Sequence, residues 1–316
     1  MKKDIKILLA PDKFKGSLSA LEVIEALGKG ILEQNPFVQI TSQAMADGGD
    51  GSIDLLHTLW SLKKHQVPIR DPLFRNREAI YYSNEDTAFI EMAKASGLAL
   101  LQNQERNCLK TSSIGTGDLL HDALEKGFKK IRLFIGGSAT NDAALGIASA
   151  LGMVFLDEWG EALSPIGEHL IRVRKIEGWQ NTLSLKDIDF QVITDVNNPF
   201  YGENGAAYVY APQKGANASE VRLLDEGLKN VHQVFLEAGL TDIQAIPGAG
   251  AAGGLGGGLS ALFGARLVSG IQTFIDLFDL AKKVQAADYV ITGEGQIDSQ
   301  SLQGKVLGGI LALCQK

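Results

Sequence analysis

Several loops of this sequence carry carboxylates or lysines directly after short apolar runs that predict β-strands. In an open α/β sheet, ligands bind at the carboxyl ends of the strands, so such residues converge on one edge. Aspartate and asparagine are also common turn formers and helix caps, and for any single loop this interpretation is the stronger one. Taken together the loops favour a site, because their chemistry is consistent; they contain Asp12, Lys13 and Lys15, then Asp47 and Asp50, then Ser138, Asn141 and Asp142, then Asp195, Asn197 and Asn198, and finally Glu294 and Asp298.

The segment IGGSATNDAALG, from Ile135 to Gly146, has the composition of an anion-binding loop. Gly136 and Gly137 allow close approach of the backbone, and a helix capped by Thr140 would direct its first N–H groups at an anion. Asp142 would repel a bare phosphate, but not one neutralised by a divalent cation; alternatively, Asp142 only complements the helix dipole. Backbone N–H groups, lysines and carboxylates are the combination that Mg²⁺-dependent phosphoryl transfer requires.

Other catalytic motifs are weak or absent in the sequence. There is no GxxxxGK[ST] loop and no GxSxG elbow, and the histidines are scattered without zinc-ligand spacing. The pattern GxGxxG occurs at Gly248, Gly250 and Gly253, but it follows a weak apolar stretch instead of a strong strand, so a dinucleotide site is the minor alternative. The segment GAGAAGGLGGGL predicts a flexible or tightly packed loop that leads into a helix.

The elements that must position these loops alternate between strand and helix near both termini. Residues 5–10 predict a buried strand, and the capping box of Ser19 and Glu22 predicts a helix to about Gln34. A strand at 38–41 and a helix near 52–60 complete a β-α-β-α series, which is typical of a parallel sheet. Short β-rich pieces between His65 and Met92 predict a second domain with a partly antiparallel sheet. Further along, the pattern predicts a strand at 190–194, a helix at 219–238 and a strand in ADYVIT.

Length, charge and cysteine content narrow the class of protein. The 316 residues predict about two domains. A net charge of −7 argues against non-specific binding to nucleic acid or anionic membranes, so an anionic substrate must be held by local lysines or a metal. The uncharged stretch 245–265 is too rich in glycine for a lipid-facing helix. Two isolated cysteines fit a reducing cytoplasm.

Eight motifs in order give the sequence a specific resemblance: APDKFKGS, ADGGDGS, TSSIGTGDLL, IGGSATNDAALG, TDVNNPFYG, APQKGA, GAGAAGGLGGGL and ITGEGQID. Together they resemble the type I glycerate kinases, from near residue 5 to near residue 310. The resemblance implies an α/β protein of two domains, a flavodoxin-like parallel sheet domain (1–66 and 284–316) plus an inserted mixed-sheet α/β domain (67–283). It also implies ATP-dependent phosphorylation of D-glycerate with Mg²⁺ and leaves open which hydroxyl is phosphorylated.

On this resemblance we assign roles to the loop residues. Lys15 is expected to contact phosphate or carboxylate, and Asp47 or Asp195 to meet Mg²⁺ or the acceptor hydroxyl. The full set is Lys15, Asp47 and Asp195 for catalysis; Gly136, Gly137, Ser138 and Asn141 for ATP; Asp12, Lys214 and Glu294 for the substrate; and Asp195 and Asp298 for Mg²⁺. The sequence alone leaves open which of the loops binds ATP and which binds glycerate.

The sequence departs from the family pattern at one point, and two other functions remain as alternatives. Members of the family continue past the GEGQID loop and its helix, whereas this chain stops at Lys316, and we expect an exposed sheet edge and reduced stability there. The rivals are a nicotinamide-dependent oxidoreductase that uses Gly248–Gly253 and a catalytically impaired ligand-binding or assembly protein. The sequence leaves the oligomeric state open.

Overall fold

A computed structural model describes residues 5–14, 16–49, 51–178, 187–297 and 305–315. The strands in these ranges are β1 (Lys6–Leu9), β2 (Gln39–Ser42), β3 (Lys63–Arg70), β4 (Asn76–Ser83), β5 (Thr87–Glu91), β6 (Lys130–Phe134), β7 (Val154–Leu156), β8 (Lys175–Glu177), β9 (Asp189–Ile193), β10 (Arg266–Val268) and β11 (Tyr289–Ile291). The α-helices are α1 (Ala20–Gln34), α2 (Ser52–Trp60), α3 (Ala93–Ser96), α4 (Ile114–Glu125), α5 (Leu145–Ala150), α6 (Ala206–Tyr210), α7 (Ala218–Glu237), α8 (Ala251–Phe263), α9 (Gly270–Leu277), α10 (Leu280–Gln285) and α11 (Val306–Cys314).

Helix α1 begins where its capping box predicts. The Ser19 hydroxyl accepts a hydrogen bond from the backbone N–H of Glu22 at 3.3 Å, and the Glu22 carboxylate accepts one from the N–H of Ser19 at 2.7 Å. These bonds also lower the pKa of Glu22. Two N–H groups at the helix end are thereby satisfied, which fixes the residue at which the chain turns back from β1.

The chain divides into two compact units, and the first consists of the residues up to Leu55 and from Val268 onward. Its sheet has the order β11-β1-β2, and both pairings are parallel, with Ile7 opposite Tyr289 on one side and Ile40 on the other. The central strand is buried at Leu8 and Leu9, as a strand covered on both faces requires. The predicted flavodoxin-like parallel sheet is confirmed.

The second unit, Leu56–Leu267, contains a six-stranded mixed sheet of order β10-β9-β6-β5-β4-β3. Strands β5, β6 and β9 pair in parallel, whereas β3, β4 and β5 pair antiparallel. The partly antiparallel sheet predicted for this part of the chain is therefore confirmed. The boundaries predicted at 66/67 and 283/284 stay a prediction, while the compact units divide at 55/56 and 267/268.

Helix α7 supplies much of the second unit's apolar packing. Its apolar residues at helical spacing form a stripe that is buried at every position, namely Val221, Leu224, Leu228, Val231 and Phe235. A large apolar side chain contributes about 1.5–3 kcal/mol when it is fully buried, so the stripe is sufficient to fix the helix against its neighbours.

The glycine-rich segment forms helix α8 earlier than the sequence predicts. The helix includes Ala251 and the following glycines, with a kink where Ala252, Gly253 and Gly254 adopt positive φ angles. A Cβ at Gly258 would lie 2.0 Å from the carbonyl oxygen of Ala143, and one at Gly253 would lie 2.2 Å from that of Thr140. These glycines are required because helix α8 packs directly on the backbone of residues 140–143. None of the helices in the described ranges is long and apolar enough to span a membrane.

Candidate functional site

Three of the predicted carboxylates lie at one edge of the first unit's sheet. Asp12, Asp47 and Glu294 follow β1, β2 and β11, and these parallel strands end on the same side. Backbone hydrogen bonds extend the pairing past the strands: the N–H of Asp12 donates to Gly293 at 2.9 Å, and that of Met45 donates to Pro11 at 3.0 Å. The loops are thus held together and share one electrostatic environment.

Asp12 has the most perturbed carboxyl group of this edge. It is 7% exposed, and its pKa is raised to about 6 chiefly by burial, with the charges of Asp47 and Glu294 adding to the rise. A hydrogen bond of 2.6 Å from the backbone N–H of Lys13, together with the Lys13 charge, partly offsets it. A carboxyl group with a pKa close to neutral is suited to accept a proton from a substrate.

The ADGGDGS loop folds around the Asp47 carboxylate. Its Oδ1 atom accepts a hydrogen bond of 3.0 Å from the N–H of Gly49, and a Cβ at Gly49 would lie only 3.0 Å from the same oxygen. A Cβ at Gly51, where φ is +82°, would lie 3.7 Å from Nζ of Lys13. The glycines therefore let the backbone approach both an acidic and a basic side chain, as a small polar ligand site needs.

Glu294 completes this carboxylate edge. One of its carboxylate oxygens, Oε1, is buried and has no hydrogen-bond partner within the described parts of the chain. Lys15 and Asp298, which the sequence assigns to this same edge, lie outside the described residues.

The loop from Gly136 to Asp142 follows β6 in the second unit, and only its beginning is exposed. Gly136 and Gly137 are exposed, while the residues from Ser138 to Asp142 are buried. The carbonyl of Gly137 accepts a hydrogen bond of 2.9 Å from Leu98, and the N–H of Ala139 donates to Ser96 at 3.0 Å. Of the four residues assigned to ATP, Gly136 and Gly137 are exposed, whereas Ser138 and Asn141 are buried.

Lys214 lies against this loop. Its Nζ atom donates hydrogen bonds of 2.7 Å to Oγ of Ser138 and 2.7 Å to the carbonyl of Thr140, and the residue is only 2% exposed. Burial lowers the pKa of Lys214 to about 8, against the opposing effect of the nearby Cys108 and Asp142 side chains. The structure thus brings together two residues that the sequence assigns separately to substrate and to ATP.

The Asp142 carboxylate is buried and hydrogen-bonded to other parts of the protein. Its Oδ2 atom accepts hydrogen bonds from the N–H of Ser113 at 2.7 Å, the hydroxyl of Ser113 at 2.8 Å and the N–H of Gly146 at 3.2 Å. Burial raises the pKa of Asp142. The carboxylate joins the start of α4 to the start of α5, which explains why an acidic residue stands in a loop of this composition.

The prediction that Thr140 caps the following helix is wrong. Helix α5 begins at Leu145, after Ala144 in the left-handed conformation, and no side chain caps it. Instead, Oγ1 of Thr140 and both polar atoms of the Asn141 side chain are buried with no hydrogen-bond partner in the described ranges. Such groups cost about 1–3 kcal/mol each, so the surrounding contacts must compensate for this loop conformation.

Asp195 leaves the same sheet edge as the Gly136 loop. Strands β6 and β9 are parallel neighbours, and the N–H of Ile135 donates to the carbonyl of Ile193 at 3.4 Å. The carboxylate is exposed at the end of β9. The turn after it is fixed by Asn198, whose side-chain amide donates to the carbonyl of Asn204 at 2.8 Å. Asp195 is therefore accessible to a ligand at the edge that carries the exposed glycines.

Ser113 holds the Asp142 carboxylate, although it is not among the residues that the sequence assigns to the site. It is fully buried and bonds Asp142 through both its N–H and its hydroxyl. Its only signal in the sequence is membership of the TSSIGTGDLL motif, and Ser113 precedes the loop by more than twenty residues.

Comparison with known proteins shows which family this α/β protein resembles. The model of the glycerate kinase family matches residues 7–316. The glycerate kinase of Halalkalibacterium halodurans is 42% identical over 306 residues, which cover 96% of this chain and 80% of the relative. The glycerate 2-kinase of Escherichia coli K12 is 40% identical over 314 residues, covering 99% of this chain and 82% of the relative.

A solved structure agrees with the sequence comparisons. A crystal structure described as glycerate kinase 2, from Salmonella typhimurium LT2, has a TM-score of 0.88 and 37% identity, and the match covers 99% of this chain and 84% of that one. The family match and the relatives identify a phosphotransferase with an α/β fold. The chain belongs to the glycerate kinase family.

Proposed function

We propose that the protein transfers the γ-phosphoryl group of ATP to a hydroxyl of D-glycerate, giving ADP and phosphoglycerate. The observation that carries the proposal is the buried Asp12 carboxyl, whose pKa is raised to about 6 at an edge it shares with Asp47 and Glu294. Phosphoryl transfer to an alcohol needs a group that accepts the hydroxyl proton, and a carboxylate of this pKa is ionised at neutral pH yet basic enough for the task.

The carboxylate edge of the first unit is proposed to hold the acceptor. Asp12 accepts the proton of the attacking hydroxyl, and Asp47 and Glu294 orient the hydroxyl groups of glycerate. Lys13 and Lys15 supply the positive charge that the glycerate carboxylate requires, since the surrounding carboxylates alone would repel it.

The exposed backbone of Gly136 and Gly137 is proposed to receive the phosphates of ATP. Positive φ at Gly137 and the lack of a side chain at both residues allow close approach of an anion. Ser138 and Asn141 are buried, so any contribution they make to nucleotide binding is indirect.

The donor chemistry of the loops fits Mg²⁺. Mg²⁺ is usually held by one or two carboxylates together with substrate phosphates, and it keeps several waters. We propose that Asp195 is a ligand of Mg²⁺, which would neutralise charge on the transferred phosphoryl group when it is bound.

The test is an ADP-release assay on a panel of small hydroxy acids. We expect turnover with D-glycerate and Mg²⁺, none with glycerol, and loss of turnover in excess EDTA. Equal rates with glycerol would contradict the hydroxy-acid assignment, and turnover unaffected by EDTA would contradict the metal. Stabilisation by ligands without ADP production would favour the catalytically impaired binding protein.

The oxidoreductase alternative has no support in the structure. No strand leads into Gly248, and a Cβ at Gly250 would lie 2.2 Å from the carbonyl of Pro199. These glycines are required for packing within the protein. We propose a cytoplasmic enzyme that acts on a small molecule and on no nucleic acid, in keeping with the net charge of −7 and the free cysteines Cys108 and Cys314.

A further inference from the structure

Lys214 is fixed at both ends. It closes a short 3₁₀ helix, Pro212–Lys214, and the next residue, Gly215, has a φ of +96° and packs so closely that a Cβ would lie 2.0 Å from the carbonyl of Arg106. At the other end of the side chain, Nζ donates to Ser138 and to Thr140. A long flexible side chain is therefore held between two anchored backbone segments.

The bonds of Lys214 fall on either side of Ala139, which is itself fixed. The N–H of Ala139 donates to Ser96 at 3.0 Å, and its carbonyl accepts from Oγ1 of Thr111 at 2.8 Å. Ser96 and Thr111 thus hold the middle of the loop, and Lys214 holds the residues before and after it. Ser138 directly follows the exposed glycines, so its position determines the direction of their backbone.

The loop also carries energetic costs that need compensation. Ala143 and Ala144 both have positive φ angles, and the polar side-chain atoms of Asn141 are buried without partners in the described ranges. Left-handed backbone and unpaired buried polar groups are each unfavourable for ordinary residues. Hydrogen bonds from an ammonium group are among the stronger ones in proteins, which suits Lys214 to hold such a segment.

We propose that Lys214 is a positioning residue for phosphoryl transfer: its ammonium fixes Ser138 and Thr140 and thereby holds the Gly136–Gly137 backbone in the conformation that receives the ATP phosphates. This role rests on the proposed function for the phosphate contact, but the positioning of the loop is independent of it. The residue touches the loop and not the substrate, which differs from the direct substrate contact that the sequence predicts.

The first test measures the loop itself. We expect Lys214→Met to accelerate amide hydrogen exchange in residues 136–142 about 10- to 100-fold without ligand, the range for loss of hydrogen bonds to a charged group. Lys175→Met is the matched control, because Lys175 is 67% exposed and pairs with Glu177 at the surface. Ser138→Ala removes one of the two bonds and should give a smaller acceleration, which covers the case that Lys214→Met does not fold.

The second test measures the reaction. We expect Lys214→Met to raise the KM for ATP about 10- to 100-fold while the KM for D-glycerate changes far less, and Ser138→Ala to add little in the Lys214→Met background. Unchanged exchange in residues 136–142 in both variants would overturn the proposal, as would faster exchange with an unchanged KM for ATP. If the wild-type protein turns over no glycerate, the proposed function fails, and the exchange data with calorimetric titration of Mg-ATP still decide the role of Lys214.

Discussion

Asp12 shows how a single residue can be unfavourable for stability and useful for chemistry. It is almost fully buried near two other carboxylates, and its pKa lies well above the usual value for aspartate. Native proteins retain such a destabilising group where activity requires it. Replacing Asp12 should therefore raise stability and lower activity.

We predict that Asp12→Asn is more stable than the wild type at pH 7.5 but nearly inactive. Because the folded-state pKa is raised to about 6 from 3.8, the ionised carboxylate costs stability above that pH, on the order of 1–3 kcal/mol. The gain in Tm should shrink as the pH falls from 6 to 4, where the native wild-type Asp12 becomes protonated. Asparagine keeps an oxygen that can accept the bond from Lys13. A lower Tm at pH 7.5, or retained turnover, would contradict the prediction.

Asp195 provides the opposite case, an exposed carboxylate whose loss should not affect folding. We predict that Asp195→Asn lowers kcat about 100-fold or more and changes stability by less than about 0.5 kcal/mol. Asparagine is nearly isosteric with aspartate and keeps a side-chain oxygen that can accept hydrogen bonds. Measuring kcat across a Mg²⁺ titration identifies the role, since excess Mg²⁺ partly restores the rate when a metal ligand is lost. Near-normal turnover at all Mg²⁺ concentrations would remove Asp195 from the site.

At the scale of elements, the candidate site depends on loops held by packing more than by their own propensities. The segment 136–142 leaves β6 and is tied to residues 96–98, to Thr111 and to Lys214 before α5 begins. Helix α8 closes the other side through glycines that contact the backbone of residues 140–143.

The Gly137 position distinguishes a turn requirement from a ligand requirement. Gly137 has a φ of +72°, and a Cβ there would meet only the Cβ of Ala93 at 3.4 Å. We predict that Gly137→Val loses both stability and ATP binding, whereas Gly137→Asn, which tolerates the left-handed region, recovers the stability but not the affinity for ATP. Thermal unfolding and calorimetric titration of Mg-ATP measure the two effects. Full recovery of affinity by asparagine would show that the residue serves the turn alone.

Two glycine-to-alanine changes in helices should have opposite signs. A Cβ at Gly30 in α1 would meet nothing within 4 Å, so Gly30→Ala should stabilise the protein by about 0.5–1 kcal/mol. Gly258→Ala in α8 should destabilise it strongly, because the new Cβ would lie 2.0 Å from the carbonyl of Ala143. Urea unfolding of both variants tests the pair. Equal effects would argue against close packing of α8 on the candidate loop.

At the scale of the whole molecule, the two units differ in how the chain builds them. The second unit is continuous in sequence and has its own apolar core, including the buried face of α7. The first unit combines both ends of the chain, and its central strand β1 pairs with β11, so Ile7 lies opposite Tyr289. Pairing across such a separation costs more loop-closure entropy than local pairing.

We predict that a fragment of residues 52–268 folds alone and unfolds cooperatively, whereas residues 1–55 alone do not fold. The fragment keeps every strand of the mixed sheet, while the short N-terminal piece lacks β11 and is of a size at which a core is only marginally stable. Circular dichroism and thermal unfolding of both fragments check this. A non-cooperative transition in residues 52–268 would show that the second unit depends on the rest of the chain.

The sequence by itself determined the local elements and the family. The Ser19–Glu22 capping box, the α7 stripe and the alternation of strands and helices depend on neighbouring residues, so they can be read along the chain. The ordered motifs, each tied to a turn or a strand end, also indicated the carboxylates at Asp12, Asp47 and Glu294 and the glycines of the 136–142 loop.

Only the tertiary structure decided what each polar residue of that loop does. Thr140 looks like a helix cap, yet α5 begins at Leu145. The sequence places Asp142 either near a cation-neutralised phosphate or at a helix dipole, yet its carboxylate is hydrogen-bonded to Ser113 and Gly146. The sequence assigns Lys214 to the substrate, yet its ammonium is buried against Ser138. Burial, charge and hydrogen-bond partners come from residues distant in sequence, and these long-range contacts set both the pKa values and the parts of the loop that a ligand can reach.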